Sequence, residues 1–396
     1  MLVSKILGDC PSCGGKNRFG NVSVRSEGIL RGCLNCKYST TVWLPEIHKK
    51  IIYLDQFFFS GAFKGGEARF VKAADQIKQL SSMQLLIAPF SSLHEDETQL
   101  WRGYAGKNKE DLMNFIKQTS RGHEFEAEYH VERIQIIRAF NAFLAGNSPD
   151  FIIKERDAIK SDIHKWDDYF WIDVGQHTKD IELTRDLKQQ SVEGLVHIFD
   201  DWQNSKNTFN QDIDLELRAA GKGYIDSYLE YEMRIYNGDY NAMMDSPIMS
   251  TIVESMLRCF PKEFPPKNRL QEIAKFFISE HFARVPKQSI SARIYASLKD
   301  MVKRGAYSNR EQALVRLSGF FYDVNHISTY APYCDAIIVD KPMAELISDK
   351  QVSLDNKYGV KIFSLNNWED LFNWLDEVEN EMTEDHKNGL AAVYPD

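Results

Sequence analysis

Two short apolar runs in this chain each end on an aspartate, and these two aspartates are the residues best placed for chemistry. The runs are residues 51–54 before Asp55 and residues 336–339 before Asp340, and the aspartates are 285 positions apart. Apolar runs of this length without alternation are typical of parallel strands that are covered on both faces. Open α/β sheets place their chemistry at the carboxyl ends of such strands, so two carboxylates there suggest a metal site.

Three further acids lie close to predicted elements that could reach the same place. Glu97 follows Ser91 and Ser92, either of which can cap a helix, and Asp323 lies in a helix predicted over residues 310–326. Asp335 directly precedes the second aspartate-ended strand. Glu95 competes with Glu97, because the register of this helix cannot be fixed from the sequence. Any one of these acids alone would more often be a turn former or a helix cap, so the interpretation depends on their joint pattern.

A four-cysteine motif near the N-terminus is the strongest local signal. Cys10-Pro-Ser-Cys13 is followed, after nineteen residues, by Cys33-Leu-Asn-Cys36. Four thiolates at this spacing favour tetrahedral zinc and predict a zinc ribbon over residues 1–45. Such a site has no open coordination position, so its zinc is expected to be structural. Two disulfides are the alternative, which a chain without an evident export signal disfavours.

The ribbon segment is basic although the chain as a whole is acidic. Residues 1–50 hold eight Lys and Arg against three Asp and Glu, a balance of +5. Since the formal net charge of the whole chain is −9, residues 51–396 have a net charge of −14. This asymmetry makes the ribbon the expected contact for nucleic acid, with a protein contact as the alternative. Phe19 offers a stacking face, and the candidate phosphate-binding residues are Lys16, Arg18, Arg25 and Arg31.

The remainder of the sequence predicts an α/β domain that is interrupted by helices. Residues 46–104 and 266–396 carry alternating strand and helix patterns, including a strand over 360–364, and form the two parts of the domain. Residues 105–265 show helical periodicity, so we predict an α-helical insertion there. Its aromatic residues are expected to fill helix interfaces rather than stack on bases; they include Trp166, Tyr169, Trp171 and Trp202.

The composition is that of a globular protein. An apolar content of 43% over 396 residues is enough for a sizeable core. No leader pattern and no apolar run of membrane-spanning length is evident, so we expect a cytoplasmic protein without membrane contact.

The order of the acids resembles that of the PIN-domain nucleases. In that family a strand-terminal Asp opens the domain, a Glu follows on the helix after the second strand, and further Asp residues come from a late helix and its following strand. By this resemblance Asp55 matches the opening Asp and Glu97 the helical Glu. Asp323 and Asp340 match the two late positions, and Asp335 is a fifth candidate.

The resemblance covers residues 50–100 and 265–380, and it implies a PIN-like parallel sheet flanked by helices. It implies a metal-dependent nuclease that acts on RNA more than on DNA, and it suits a bacterial toxin or an antiviral effector. Oxygen ligands favour Mg²⁺ or Mn²⁺, and one or two such ions can activate water and neutralise charge on the phosphate. Typical members lack the insertion, which could serve as a lid, a substrate clamp or a surface for a protein partner.

Two other functions fit the same residues. One is a catalytically silent PIN-like scaffold that binds nucleic acid or a protein partner through the ribbon and the insertion, and the other is hydrolysis of a small nucleotide. Ser60, Ser92, Asn325 and His326 could orient water or phosphate in an active site. A lone Ser or His near a helix end is more often a structural hydrogen-bonding residue.

Overall fold

The computed structural model describes residues 3–25, 27–160, 162–166, 192–243 and 248–394. This part of the chain contains two four-stranded sheets. The first is antiparallel and follows sequence order: β1 (Lys5–Gly8), β2 (Phe19–Arg25), β3 (Gly28–Cys33) and β4 (Ser39–Trp43). Cys10 and Cys13 lie between β1 and β2, Cys33 is the last residue of β3, and Cys36 lies between β3 and β4. None of the described helices combines the length and the apolar composition that a membrane span requires.

The second sheet is parallel throughout and has the order β6-β5-β7-β8. Its strands are β5 (Lys50–Leu54), β6 (Leu86–Ile87), β7 (Ala336–Ile338) and β8 (Lys361–Phe363). The two aspartate-ended strands are the central neighbours, with Ile52 opposite Ala336 and Leu54 opposite Ile338. The prediction of an α/β fold with a parallel sheet is confirmed. Because β5 and β7 run in the same direction, Asp55 and Asp340 lie at the same edge of the sheet.

Helices make up most of the remaining described chain, and residues 192–197 are also helical. The helices are α1 (Gln56–Lys64), α2 (Ala68–Ser82), α3 (Ser92–Gln99), α4 (Lys109–Ser120), α5 (Glu128–Leu144), α6 (Phe199–Asn204), α7 (Phe209–Tyr236), α8 (Ile248–Leu257), α9 (Pro266–Phe277), α10 (Glu280–Ala283), α11 (Pro286–Lys303), α12 (Arg310–Arg316), α13 (Phe320–Tyr330), α14 (Lys341–Ile347), α15 (Leu354–Tyr358), α16 (Trp368–Asn380) and α17 (Glu384–Val393). Short 3₁₀ turns occur at Glu155–Asp157, Tyr240–Met243 and Ala331–Tyr333.

The prediction of a single helix over residues 310–326 is wrong, because this part of the chain forms two helices, α12 and α13, with a break between them. The break contains Ser318 and Gly319, which have low helix propensity. Glycine at this position also leaves room for the next acid. A Cβ atom on Gly319 would lie 3.3 Å from Oδ2 of Asp323.

Alternate residues of the parallel strands enter two different hydrophobic cores. Ile52 and Leu54 of β5 pack in the core that α1, α2, α4 and α16 cover. Ile51 and Tyr53 pack on the opposite face, in the core of α11, α13 and α14. Helix α4, which lies inside the predicted insertion, therefore packs against the sheet. Coverage of both faces explains why the strand sequences show no polar alternation.

Two smaller cores lie outside the parallel sheet. Helices α5, α7, α8 and α9 share one of them, which includes Phe140 and Phe276. The other joins the ribbon to the C-terminal helix α17 through Ile29, Trp166 and Val393. Trp166 is buried, as predicted, and Trp202 is partly buried against the core of α11 and α13. The predictions for Tyr169 and Trp171 fall outside the described residues.

Candidate carboxylate site and four-cysteine site

Asp55 and Asp340 occupy equivalent places at the carboxyl edge of the parallel sheet. Asp55 is the N-cap of α1, where its Oδ1 accepts a hydrogen bond from the N–H of Gln56 at 2.6 Å. Asp340 is the N-cap of α14, where its Oδ1 accepts from the N–H of Met343 at 2.9 Å. The Asp55 N–H donates to the carbonyl oxygen of Ile338 at 3.1 Å, which extends the pairing of β5 with β7. The two strand ends, and the carboxylates that follow them, are therefore adjacent.

The surroundings of Asp55 disfavour its charged form. Asp55 is only 8% exposed, and burial raises the pKa of its carboxyl group well above the ordinary value. The charges of Glu97 and Asp340 raise that pKa further, against hydrogen bonds from the backbone N–H groups of Gln56 and Asp340 that lower it. Burial also raises the pKa of Asp340. Ionised carboxylates at this edge of the sheet would therefore repel one another, and a bound cation would reduce this repulsion.

The orientation of α3 determines which of its acids faces Asp55. Ser91 caps the helix, and its N–H donates to Nδ1 of His94 at 3.0 Å. The opposite ring atom of His94, Nε2, donates to the carbonyl oxygen of Leu54 at 2.9 Å, which ties α3 to the end of β5. Glu97 lies three residues after His94 and thus on the same helix face. Its side chain is 12% exposed, and Glu97 rather than Glu95 is the acid whose charge raises the pKa of Asp55.

Asp323 approaches from α13, the helix that packs on the Tyr53 face of the sheet. After burial, the charges of Asp55, Glu97 and Asp323 raise the pKa of the Tyr53 hydroxyl, in that order. Three acids from separate parts of the chain therefore lie near enough to one buried tyrosine to raise its pKa. Asp340 is the fourth acid of this group, since its charge raises the pKa of Asp55.

Asp335 is not brought to this group. It lies at the amino end of β7, where its Oδ2 accepts from the N–H of Ile51 at 2.8 Å and its Oδ1 is 3.4 Å from Nζ of Lys50. Its own N–H donates to the carbonyl oxygen of Ile51 at 2.9 Å. Asp335 thus takes part in strand pairing at the edge of the sheet opposite to Asp340.

Three buried rings pack together next to Glu97, and we call Tyr53, His94 and His326 the ring layer. The ring centroids of His94 and His326 are 4.8 Å apart, and each lies 5.5 Å from the centroid of Tyr53. The Tyr53 hydroxyl is 2.6 Å from Nδ1 of His326, and Nε2 of His326 is 4.0 Å from Oε2 of Glu97. Burial lowers the pKa of His94 to about 4, although its bond to Leu54 acts in the other direction.

Sequence reasoning did not identify the ring layer as a unit. Its signal is the spacing between rings and acids on three elements. On a strand, residues two apart share a face, and on a helix residues three apart do so. The pairs with this spacing are Tyr53 with Asp55, His94 with Glu97, and Asp323 with His326.

The chain matches no protein family model, and comparison with curated proteins and with solved structures also gives no match. Its function must therefore be inferred from its own residues and their geometry.

The four cysteines form the tighter of the two candidate metal sites. Sγ atoms are 3.8 Å apart in the pairs Cys10–Cys36 and Cys13–Cys33, and all four lie within 4.8 Å of one another. Zinc–sulfur bonds of about 2.3 Å give a tetrahedron with edges of about 3.8 Å, so this spacing suits zinc. Across the described residues, no other set of three or more Cys, His, Asp or Glu meets this spacing. The carboxylates are thus neighbours at wider separation.

The state of the thiols agrees with a structural metal site. All six cysteines of the chain are free, which removes the disulfide alternative. Burial raises the pKa of Cys33, but hydrogen bonds from the backbone N–H groups of Asn35 and Cys36 and with the thiols of Cys10 and Cys36 together lower it to about 7. Cys36 has a backbone hydrogen bond with Tyr38 that lowers its pKa, but burial and hydrogen bonds with the other three thiols raise that pKa to about 12. Cys33 is therefore the thiol that can supply a thiolate ligand near neutral pH without a metal. We conclude that Cys10, Cys13, Cys33 and Cys36 could hold a structural metal such as zinc.

The candidate phosphate-binding residues of the ribbon fall into two groups. Lys16, Arg18 and Arg25 are exposed. Arg31 instead contacts the C-terminal helix, where its Nη2 donates to the carbonyl oxygen of Ala392 at 3.3 Å and its Nε donates to Oδ1 of Asn21 at 3.0 Å. The position of Arg31 therefore indicates a role in docking the ribbon.

Proposed function

We propose that this chain is a PIN-like metal-dependent nuclease that hydrolyses phosphodiester bonds at the carboxylate site. The observation that carries the proposal is the convergence of acids from four elements on one edge of the parallel sheet. After burial, the charges of Glu97 and Asp340 raise the pKa of Asp55, and the charges of Asp55, Glu97 and Asp323 raise the pKa of Tyr53. Burying like charges together is unfavourable, and such perturbed groups often mark functional sites.

The acids present hard oxygen ligands, which suit Mg²⁺ or Mn²⁺. Such an ion, when bound, would activate water and neutralise charge on the phosphate and its leaving oxygen. Asp55 and Asp340 would hold it from adjacent strand ends, with Glu97 and Asp323 approaching from α3 and α13. Hydrogen bonds from backbone N–H groups hold the carboxylates of Asp55 and Asp340 in place.

RNA is the substrate that we propose, since the family that the order of the acids resembles mostly cleaves RNA. The exposed cations Lys16, Arg18 and Arg25 support a contact between the ribbon and the nucleic-acid backbone. A role as a bacterial toxin or an antiviral effector would suit such an activity.

A catalytically silent scaffold is the second candidate function. It is favoured by the spacing of the carboxylates, which is wider than the spacing of the four cysteines. In this case the ribbon and the helices between β6 and β7 would bind RNA or a protein partner, and the acids would have no metal to hold.

A cleavage assay separates the two functions. Purified protein is incubated with labelled single- and double-stranded RNA and DNA of several lengths, and with mononucleotide esters, in Mn²⁺, in Mg²⁺ or with a chelator. The nuclease proposal predicts metal-dependent cleavage of polynucleotides that Asp55→Asn abolishes. The scaffold predicts RNA binding without cleavage. Hydrolysis of the small esters alone would instead indicate a nucleotide phosphoesterase.

A further inference from the structure

The ring layer links the three parts of the chain that carry Asp55, Glu97 and Asp323. Tyr53, His94 and His326 are at most 2% exposed, so their contacts leave little freedom to move. Each ring lies two or three residues along the chain from one acid of the carboxylate site: Asp55 directly follows β5, which carries Tyr53, and the other two pairs lie within α3 and α13. The contacts between the rings therefore fix how β5, α3 and α13 present their acids to one another.

Hydrogen bonding also fixes the orientation of one ring. An ordinary tyrosine is protonated at neutral pH, so the Tyr53 hydroxyl can donate to Nδ1 of His326 across their 2.6 Å contact. The neutral imidazole then carries its proton on Nε2. That nitrogen lies 4.0 Å from Oε2 of Glu97, and the ring therefore directs an N–H group towards the Glu97 carboxylate.

We propose that His326, oriented by Tyr53, is a positioning residue that holds Glu97 for a divalent cation at the carboxylate site. The inference rests on the proposed function. A separation of 4.0 Å exceeds a hydrogen bond, and bonds of this kind are often long in ligand-free sites and tighten on binding. The bond between His94 and Leu54 restrains the face of α3 that carries Glu97, so that a small movement of the Glu97 side chain is enough to form the bond with His326.

The test compares two tyrosine variants in the full, zinc-loaded chain. Tyr53→Phe removes the hydroxyl that orients His326 and keeps the ring in its contacts. Tyr333→Phe is the matched control, because the Tyr333 hydroxyl is also buried and accepts a single hydrogen bond from Gln135 at 2.9 Å. Mn²⁺ binding is measured by electron paramagnetic resonance. The part of the bound Mn²⁺ signal that is lost in Asp55→Asn is assigned to the carboxylate site.

We expect Tyr53→Phe to weaken Mn²⁺ binding at this site about tenfold or more, as loss of a supporting hydrogen bond typically does. Tyr333→Phe should bind Mn²⁺ like the wild type. In the cleavage assay Tyr53→Phe should lower kcat and raise the Mn²⁺ requirement without changing KM for RNA. His326→Gln retains a donor and should recover part of the Mn²⁺ affinity that His326→Ala loses.

The outcomes separate this inference from the proposed function. Absence of Asp55-dependent Mn²⁺ binding in the wild type would contradict both. Normal Mn²⁺ binding in the wild type together with equal binding in Tyr53→Phe and Tyr333→Phe would overturn the positioning role alone. If His326→Ala does not fold, Tyr53→Phe decides, since its melting temperature can be compared directly with that of Tyr333→Phe.

Discussion

Asp55 and Asp340 follow adjacent strand ends, which the hydrogen bond from the Asp55 N–H to the carbonyl oxygen of Ile338 holds together, although the charge of Asp340 adds to burial in raising the pKa of Asp55. Each aspartate follows a strand and caps the next helix, and the two strands are adjacent and parallel. The fold thus holds two like charges close together by backbone contacts. The predictions below follow from the energetic consequences of this arrangement and of its neighbours.

The first prediction concerns the pH dependence of stability without metal. The folded pKa of Asp55 is raised, so between the ordinary carboxyl value of about 4 and the raised value the folded chain binds more protons than the unfolded chain. The contribution of Asp55 to the free energy of unfolding should therefore fall as pH rises through this window. Asp55→Asn, which cannot ionise, should lose this part of the slope in urea unfolding with a chelator present. Asp335→Asn is the control, and equal slopes in all three proteins would contradict the assignment.

His94 should produce a pH effect of opposite sign. Burial lowers its pKa to about 4, so the unfolded chain takes up the proton first as pH falls below about 6.5. The associated loss of stability between these values is about 3 kcal/mol as an order of magnitude. His94→Gln should show a smaller loss than the wild type in acid titrations of unfolding free energy. His48→Gln, which removes an exposed histidine, is the control variant, and a full loss in His94→Gln would exclude His94 as the source.

Zinc should be bound by the ribbon and should support its docking. We expect about one zinc per chain, because four thiolates complete one tetrahedral site. Cys33→Ser should lose the metal, and the C-terminal helix should become more sensitive to protease, because ribbon residues bond to the carbonyl oxygens of Ala392 and Val393. Cys259→Ser, which changes a cysteine outside the motif, is the matched control. Zinc content unchanged by Cys33→Ser would remove the assignment.

The basic residues of the ribbon should separate into two classes. Arg31→Ala should lower the free energy of unfolding by about 1 kcal/mol, the typical value for a lost hydrogen bond, and should leave RNA binding unchanged. Arg18→Ala should leave stability unchanged and should reduce the salt dependence of RNA binding by about one unit of slope. Fluorescence anisotropy over a salt series measures the binding. Equal effects of both variants on RNA affinity would contradict the division.

The features predicted correctly from sequence are those that short local patterns encode. The two aspartate-ended runs identify adjacent parallel strands because uninterrupted apolar residues require cover on both faces. The choice between Glu95 and Glu97 depends on the rotation of α3, which the contact between His94 and Leu54 sets. This contact joins residues 40 positions apart and leaves no local pattern.

Two other features could have been inferred with closer attention to direction and spacing. Asp335 precedes β7, so it had to lie at the amino edge of the sheet and away from Asp340. The ring layer follows from spacings of two and three residues, but only once Tyr53 and His326 are known to face each other. Helix α17 was not predicted, since its buried residues include His386 and Gly389 and it has no strong apolar stripe.

The central claim is that acids from distant parts of the chain hold one hard cation, and Mn²⁺ binding to full-length variants tests it most directly. Binding is measured by electron paramagnetic resonance for the wild type, Asp55→Asn, Asp340→Asn and Asp335→Asn. We predict a Mn²⁺ site in the wild type that both Asp55→Asn and Asp340→Asn abolish and that Asp335→Asn retains. The same Mn²⁺ affinity in all four proteins, or no binding in the wild type, would contradict the account.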